Sequence, residues 1–150
     1  MVEPVESDWR EERRLPVAAV FLVVLLAACG SSSPSDMDKT KQMVREKFPG
    51  VNQISTEELA KWLADPSRPA PVILDARTAK EFEISRIAGA RNVPKGTTAE
   101  AAMGAAAKDA PVVVYCSVGY RSSQFAENLQ KAGYTKVWNL EVSIFDWGKE

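Results

Sequence analysis

Cys116 directly follows the apolar run Val112-Val113-Val114-Tyr115 and opens the segment Cys116-Ser117-Val118-Gly119-Tyr120-Arg121-Ser122. Four β-formers behind Pro111 read as a buried strand. Ser122 to Lys131 reads as an amphipathic helix with Phe125, Ala126 and Leu129 on its inner face. The loop between them lies where a strand gives way to a helix, the usual place for chemistry in an open α/β sheet. A helix N-terminus offers orphan N–H donors and the positive end of a dipole. A loop folded over that end turns its own N–H groups inward as an anion nest. Gly119 permits the tight backbone this requires, and Arg121 adds a permanent positive charge. Each of these favours a thiolate, the nucleophilic form of cysteine. A cysteine at a strand end can equally be an inert, small apolar side chain. The flanking Gly119, Arg121 and helix start favour the reactive reading.

Composition narrows the chemistry further. The 150 residues contain no histidine, which excludes Ser-His-Asp triads, Cys-His dyads and His-based metal sites. Any acid–base work falls to Asp, Glu, Lys, Tyr, a group polarised by Arg, or the substrate itself. With 19 basic and 20 acidic residues the formal net charge is −1, which makes no case for a nucleic-acid partner. The length and the ordinary balance of 45% hydrophobic and 26% charged residues predict one globular domain.

The second cysteine, Cys29, belongs to a different kind of segment. Leu15 to Ala28 reads LPVAAVFLVVLLAA, without charge, directly after Arg13-Arg14. A positive flank, a short apolar run and small residues before a cleavage point form a secretory signal, and the run is too short for a spanning helix. Leu26-Ala27-Ala28-Cys29 resembles the lipobox of bacterial lipoproteins. That resemblance implies a signal peptide over residues 1–28, lipid on Cys29, and a chain exported and held on a membrane, on its periplasmic or cell-surface side. An uncleaved anchor helix and twin-arginine export are the weaker readings of the same residues. The acidic stretch before the apolar run, from Glu3 to Glu12, is unusual in such a leader and would be explained by a start codon assigned too early. Gly30-Ser31-Ser32-Ser33-Pro34-Ser35 then reads as a flexible tether. Residues 29–50 are expected to hold the tether and a short helix over Met37–Phe48, with the domain proper over 51–150.

Within the domain, Ser55 with Glu58 and Thr78 with Glu81 have the spacing of capping boxes. The first opens a helix with Leu59, Trp62 and Leu63 on one face, and the second a helix with Phe82 turned inward. Val72-Ile73-Leu74 reads as a buried strand ending at Asp75, Ile87 to Pro94 as a turn into a strand, and Lys136 to Leu140 as a last strand. Thr97 to Ala107 is predicted to be helical, Gly133 to end the helix after the Cys116 loop, and Ile144, Phe145 and Trp147 to begin a closing helix. Short apolar strands alternating with capped helices predict an α/β domain with a parallel sheet.

Several of these segments together resemble the rhodanese-like family. Cys116 to Ser122 after VVVY, followed by an amphipathic helix and Gly133-Tyr134, is similar to that family's active-site segment. Val72-Ile73-Leu74-Asp75-Ala76-Arg77, Glu81-Phe82, and Ile87-Ala88-Gly89-Ala90-Arg91-Asn92-Val93-Pro94 resemble its other motifs in order. Asn139-Leu140-Glu141 and Phe145 with Trp147 resemble its C-terminal signature. The resemblance covers Ile54 to Trp147. It implies a central, about five-stranded parallel sheet flanked by helices. It also implies two-step sulfur transfer, with Cys116 taking sulfur from a small donor anion such as thiosulfate or a persulfide. The sulfur then passes to cyanide, a thiol or a partner protein. Backbone N–H groups of Ser117, Val118, Gly119, Tyr120 and Arg121 would hold the anionic persulfide, with Ser122 closing the loop. No metal or organic cofactor is required. Asp75 and Arg77 are expected to support the site through hydrogen bonds or an ion pair.

This chain departs from the family pattern in two places. Ser85-Arg86 stands where many members carry Gly-His, and Val142-Ser143 where they usually carry two glycines. Phosphatases and arsenate reductases use a related loop with five residues between Cys and Arg. Here Ser117, Val118, Gly119 and Tyr120 make four, a smaller ring better suited to a persulfide sulfur than to a phosphate. The alternative from another class is a persulfide carrier or sensor that serves one partner protein with little turnover on thiosulfate.

Overall fold

The computed structural model describes residues 35–142 together with Ile144 and Trp147. The apolar leader, Cys29, the tether up to Pro34 and Phe145 lie outside the described residues. Five strands form one sheet: β1 (Asn52–Ile54), β2 (Val72–Asp75), β3 (Arg91–Asn92), β4 (Val112–Tyr115) and β5 (Val137–Leu140). All are parallel, in the order β1-β5-β4-β2-β3. The helices are α1 (Asp36–Lys47), α2 (Thr56–Ala64), α3 (Ala79–Ile84), α4 (Ala99–Met103) and α5 (Tyr120–Lys131). Among these described elements the expected parallel α/β fold is present.

β4 lies in the middle, paired with β2 through Leu74 opposite Val114 and with β5 through Val114 opposite Asn139. Strands covered on both faces read as continuous apolar runs, and all four β4 side chains are fully buried. Successive side chains alternate between faces. Val113 and Tyr115 join Leu59, Trp62, Ile73 and Ile87 on the α2 side. Val112, Val114 and, two positions on, Cys116 join Val44, Phe125, Ala126 and Leu129 on the side of α1 and α5. Strand parity thus turns the thiol toward the helix that follows it.

Four helices begin with a side-chain cap. Ser35, Ser55 and Thr78 form full capping boxes with Asp38, Glu58 and Glu81, and Thr98 caps α4. The boxes at Ser55 and Thr78 are those expected from spacing.

Several expectations need correction. β1 is a strand of three residues at the sheet edge, in a stretch where only a helix start at Ile54-Ser55 was legible. The Ala-rich helix stops at Met103, because Gly104 turns the chain with φ of 58°. α5 begins at Tyr120, two residues before Ser122. Phe82 is half-buried with the Arg86 guanidinium over its ring, and α3 buries no residue fully. Leu63 is exposed. Helix α1 begins at Asp36 rather than Met37, and it packs Val44, with Phe48 just after it, into the core.

Candidate active site around Cys116

Cys116 emerges from the end of β4 with 1% of its surface exposed. The next helix, α5, is unlike the other four: its N-cap is Gly119, with φ of 94° and no side-chain cap. The Gly119 N–H donates to Cys116 Sγ at 3.1 Å, and Ser122 Oγ lies 3.3 Å from the same atom. Donors converging on a buried sulfur from the positive end of a helix stabilise an anion there. No residue with a Cβ fits easily at position 119. The backbone is left-handed, and a Cβ would lie 3.3 Å from Asn139 Nδ2.

Asn139 is the buried polar residue beneath the loop. Its Oδ1 accepts from Ser122 Oγ at 2.5 Å, and its Nδ2 donates to Gln53 Oε1 at 2.6 Å. Ser122 has one hydroxyl proton and two neighbours able to accept it. With a protonated thiol, S–H can donate to Ser122 Oγ while the hydroxyl donates to Asn139. With an anionic sulfur the hydroxyl can turn to the sulfur. Asn139 and Gln53 were not among the residues singled out for the site. The signal for Asn139 was an amide in the otherwise apolar strand VWNL; Gln53 gave none.

The Arg121 guanidinium is tied to α3. It forms a fork on Glu81, with both N–H···O distances 3.0 Å, and donates to Ser117 Oγ at 2.9 Å. Ser117 Oγ in turn donates to Glu81 Oε1 at 3.2 Å. The Glu81 carboxyl is held far below its ordinary value, first by Arg121 and then by the Thr78 backbone and side chain. Arg121 is raised, chiefly by Glu81, with smaller contributions from Cys116. The cation therefore braces the loop against α3 while its field still reaches the sulfur. Glu81 is a further site residue, visible in the sequence only as a helix cap and a family motif.

Asp75 and Arg77 pair with each other where β2 ends. Both are buried, and Arg77 Nη2 meets Asp75 Oδ2 at 2.7 Å. Arg77 also donates to the Ser85 carbonyl, and Asn92 Nδ2 donates to the carbonyls of Asp75 and Arg77. The Tyr115 hydroxyl accepts from the Ile87 N–H at 3.1 Å. Burial, reinforced by Asp75, pushes the Tyr115 phenol up, so it stays neutral. This network ties the ends of β2 and β4 to the turn before β3.

Val118 and Tyr120 stand on the outer rim, 39% and 38% exposed. Phe48, just after α1, meets the Tyr120 ring edge-to-face at 5.2 Å between centroids. Val142, where the family pattern has glycine, is buried with φ of 52°. A β-branched residue in the left-handed region carries strain of about 1–3 kcal/mol. The Ile144 N–H donates to the Cys116 carbonyl at 3.3 Å, so the segment around Val142 also closes on the nucleophile.

Residues 55–150 match the rhodanese-like domain. The chain belongs to this family. A sulfurtransferase of Allochromatium vinosum is 34% identical to it over 99 residues, covering 66% of this chain and 90% of that protein. The Bacillus subtilis protein YqhL is 36% identical over 76 residues, or 51% of this chain; the match spans 60% of that relative's own length. A rhodanese-like domain protein from Staphylococcus aureus superimposes with a TM-score of 0.57 at 28% identity, covering 65% of this chain and 92% of that one. A human single-domain sulfurtransferase has the same fold, with a TM-score of 0.58 at 23% identity over 67% of this chain and 98% of its own. The rhodanese-like fold, a five-stranded parallel sheet flanked by helices, is thus established together with membership of a sulfurtransferase family. Helix α1 and β1 precede the matched region.

Proposed function

We propose that this rhodanese-like domain transfers sulfane sulfur through a persulfide on Cys116. The carrying observation is the convergence of the Gly119 N–H and the Ser122 hydroxyl on a buried sulfur at an uncapped helix start. In the first half-reaction the Cys116 thiolate attacks the outer sulfur of a donor such as thiosulfate. The sulfur–sulfur bond of the donor breaks, sulfite leaves with the electron pair, and Cys116 becomes an anionic persulfide. In the second, a thiolate or cyanide attacks the outer sulfur, and the electron pair of the Cys116 persulfide bond returns to Cys116. This is covalent catalysis by a pre-activated nucleophile, with fixed donors stabilising the charge. The donors of residues 117 to 121, with Ser122, hold the charge, and Asp75 and Arg77 keep the loop in place.

The proposal includes export and lipid anchoring through Cys29, supported by the lipobox-like Leu26-Ala27-Ala28-Cys29 after an apolar leader. A carrier role toward one partner protein is the second reading. The exposed Val118 and Tyr120 favour it, since they give the loop an apolar rim of the kind a protein surface can cover.

Intact mass of the full chain before and after thiosulfate, then after cyanide, tests the chemistry. A gain of one sulfur that cyanide removes is expected, and it disappears in Cys116→Ser while the circular dichroism spectrum is unchanged. Sulfur loading by the Ser variant would defeat the assignment. Loading that only a partner protein can discharge would favour the carrier.

A further inference from the structure

A line of hydrogen bonds runs from the edge strand β1 to the nucleophile. Gln53 on β1 donates from Nε2 to the Val51 carbonyl at 3.1 Å. Its Oε1 accepts from Asn139 Nδ2 at 2.6 Å, and Asn139 Oδ1 lies 2.5 Å from Ser122 Oγ. Ser122 Oγ stands 3.3 Å from Cys116 Sγ. Asn139 and Ser122 are buried, whereas Gln53 is half-buried and precedes the family-matched residues.

The line has a direction, and its far end fixes it. A carbonyl oxygen only accepts, so the Val51 carbonyl requires the NH2 group of Gln53. Gln53 Oε1 is then left facing Asn139, which answers with its own NH2. Asn139 Oδ1 is therefore the atom presented to Ser122. It too only accepts, so the Ser122 proton is drawn to Asn139 and away from the sulfur. In that arrangement Ser122 Oγ offers the sulfur a lone pair, which suits S–H and not an anion. When the sulfur becomes anionic, the hydroxyl turns to it and gains a charge-assisted bond, about twice as strong as a neutral one. The turn leaves Asn139 Oδ1 buried without that donor, a loss that opposes it.

Resting on the sulfurtransferase reading above, we propose that Gln53 and Asn139 are positioning residues that restrain the nucleophile, holding the Ser122 proton back from Cys116 until charge appears on its sulfur. In the first half-reaction the hydroxyl turns to the attacking thiolate. In the second, the electron pair of the broken persulfide bond arrives on Cys116 Sγ, and the same hydroxyl turns to meet it. The proton stays on Ser122 Oγ throughout and changes only its neighbour.

The test measures alkylation of Cys116 by iodoacetamide at neutral pH in the full chain in detergent, read by peptide mass so that Cys29 is counted separately. Gln53→Met removes the acceptor and frees the Asn139 amide to turn over, with its NH2 toward Ser122 and the hydroxyl proton released to the sulfur. Alkylation should rise about fivefold. Gln53→Glu keeps an acceptor for Asn139 and should be no faster than the wild type. In a Ser122→Ala background Gln53→Met should change the rate by less than about twofold, because no proton is left to release. Loosening of the loop alone would speed both backgrounds alike. Equal acceleration in both backgrounds, acceleration by Gln53→Glu as large as by Gln53→Met, or no acceleration in a folded Gln53→Met would overturn the proposal. Should Gln53→Met fail to fold by circular dichroism, nuclear magnetic resonance of Ser122→Ala against the wild type decides. The side-chain amide signals of both Asn139 and Gln53 should shift, and a Gln53 signal that stays in place overturns the assignment. Alkylation needs no sulfur donor. A chain that takes no sulfur from thiosulfate yet shows the Gln53 effect loses the transferase reading and keeps the positioning one.

Discussion

The single hydroxyl proton of Ser122 is shared between two neighbours, Cys116 Sγ and Asn139 Oδ1. A hydrogen bond to a charged group is worth about 1.5–3 kcal/mol, so its loss is measurable. Ser122→Ala should slow alkylation of Cys116 by iodoacetamide at neutral pH roughly tenfold, and Ser122→Thr should keep most of the rate. An unchanged rate in the Ala variant would reduce Ser122 to a packing residue. At this scale the nucleophile was readable because its signals are local: a cysteine after a β-run, a glycine three residues on, and a helix start. Asn139 and Gln53 were not, because their contacts join β5 and β1 to the loop across long stretches of chain. The orientation of Arg121 was hidden for the same reason, since its partner Glu81 lies forty positions away.

Among the elements, α3 links helix capping to the site. Glu81 serves two structures at once, closing the capping box with Thr78 and bracing Arg121. Its carboxyl is depressed in the folded chain, so the stability it contributes is present above its ordinary value of 4.5 and is lost as pH falls below it. Glu81→Gln should therefore flatten the fall in thermal midpoint between about pH 5 and pH 3. An identical slope in both proteins would mean the ion pair contributes nothing. The capping boxes at Ser55 and Thr78 and the strands at β2, β4 and β5 were legible because each is specified within a few residues. β1 was not. Three residues at a sheet edge carry too little periodicity, and only their pairing with Trp138, Asn139 and Leu140 makes them a strand. Val142 was visible only as a departure from pattern; its left-handed backbone follows from where the chain must turn.

Over the whole molecule, α1 joins the body ahead of the family-matched residues. Arg45 reaches Glu141 at 2.6 Å, and Phe48 is buried against Tyr120 and the core. Truncating a buried phenylalanine costs about 3–5 kcal/mol. Phe48→Ala should lower stability by that order in urea unfolding and raise the alkylation rate of Cys116 by loosening the Tyr120 side of the loop. A loss well under 1 kcal/mol would show that α1 is an appendage. The parallel sheet itself follows from alternating strands and capped helices, whereas the docking of α1 depends on two side chains with no pattern around them.

Cys116 keeps its sulfur almost wholly out of reach of solvent. Such depth acts as a sieve, passing slim reagents and admitting a protein's thiol only where that protein's surface fits the loop. Once loaded, the outer sulfur sits one bond, about 2 Å, further out. A bulky maleimide should discriminate between the empty and loaded forms, reacting with the second far faster, while small peroxides reach both.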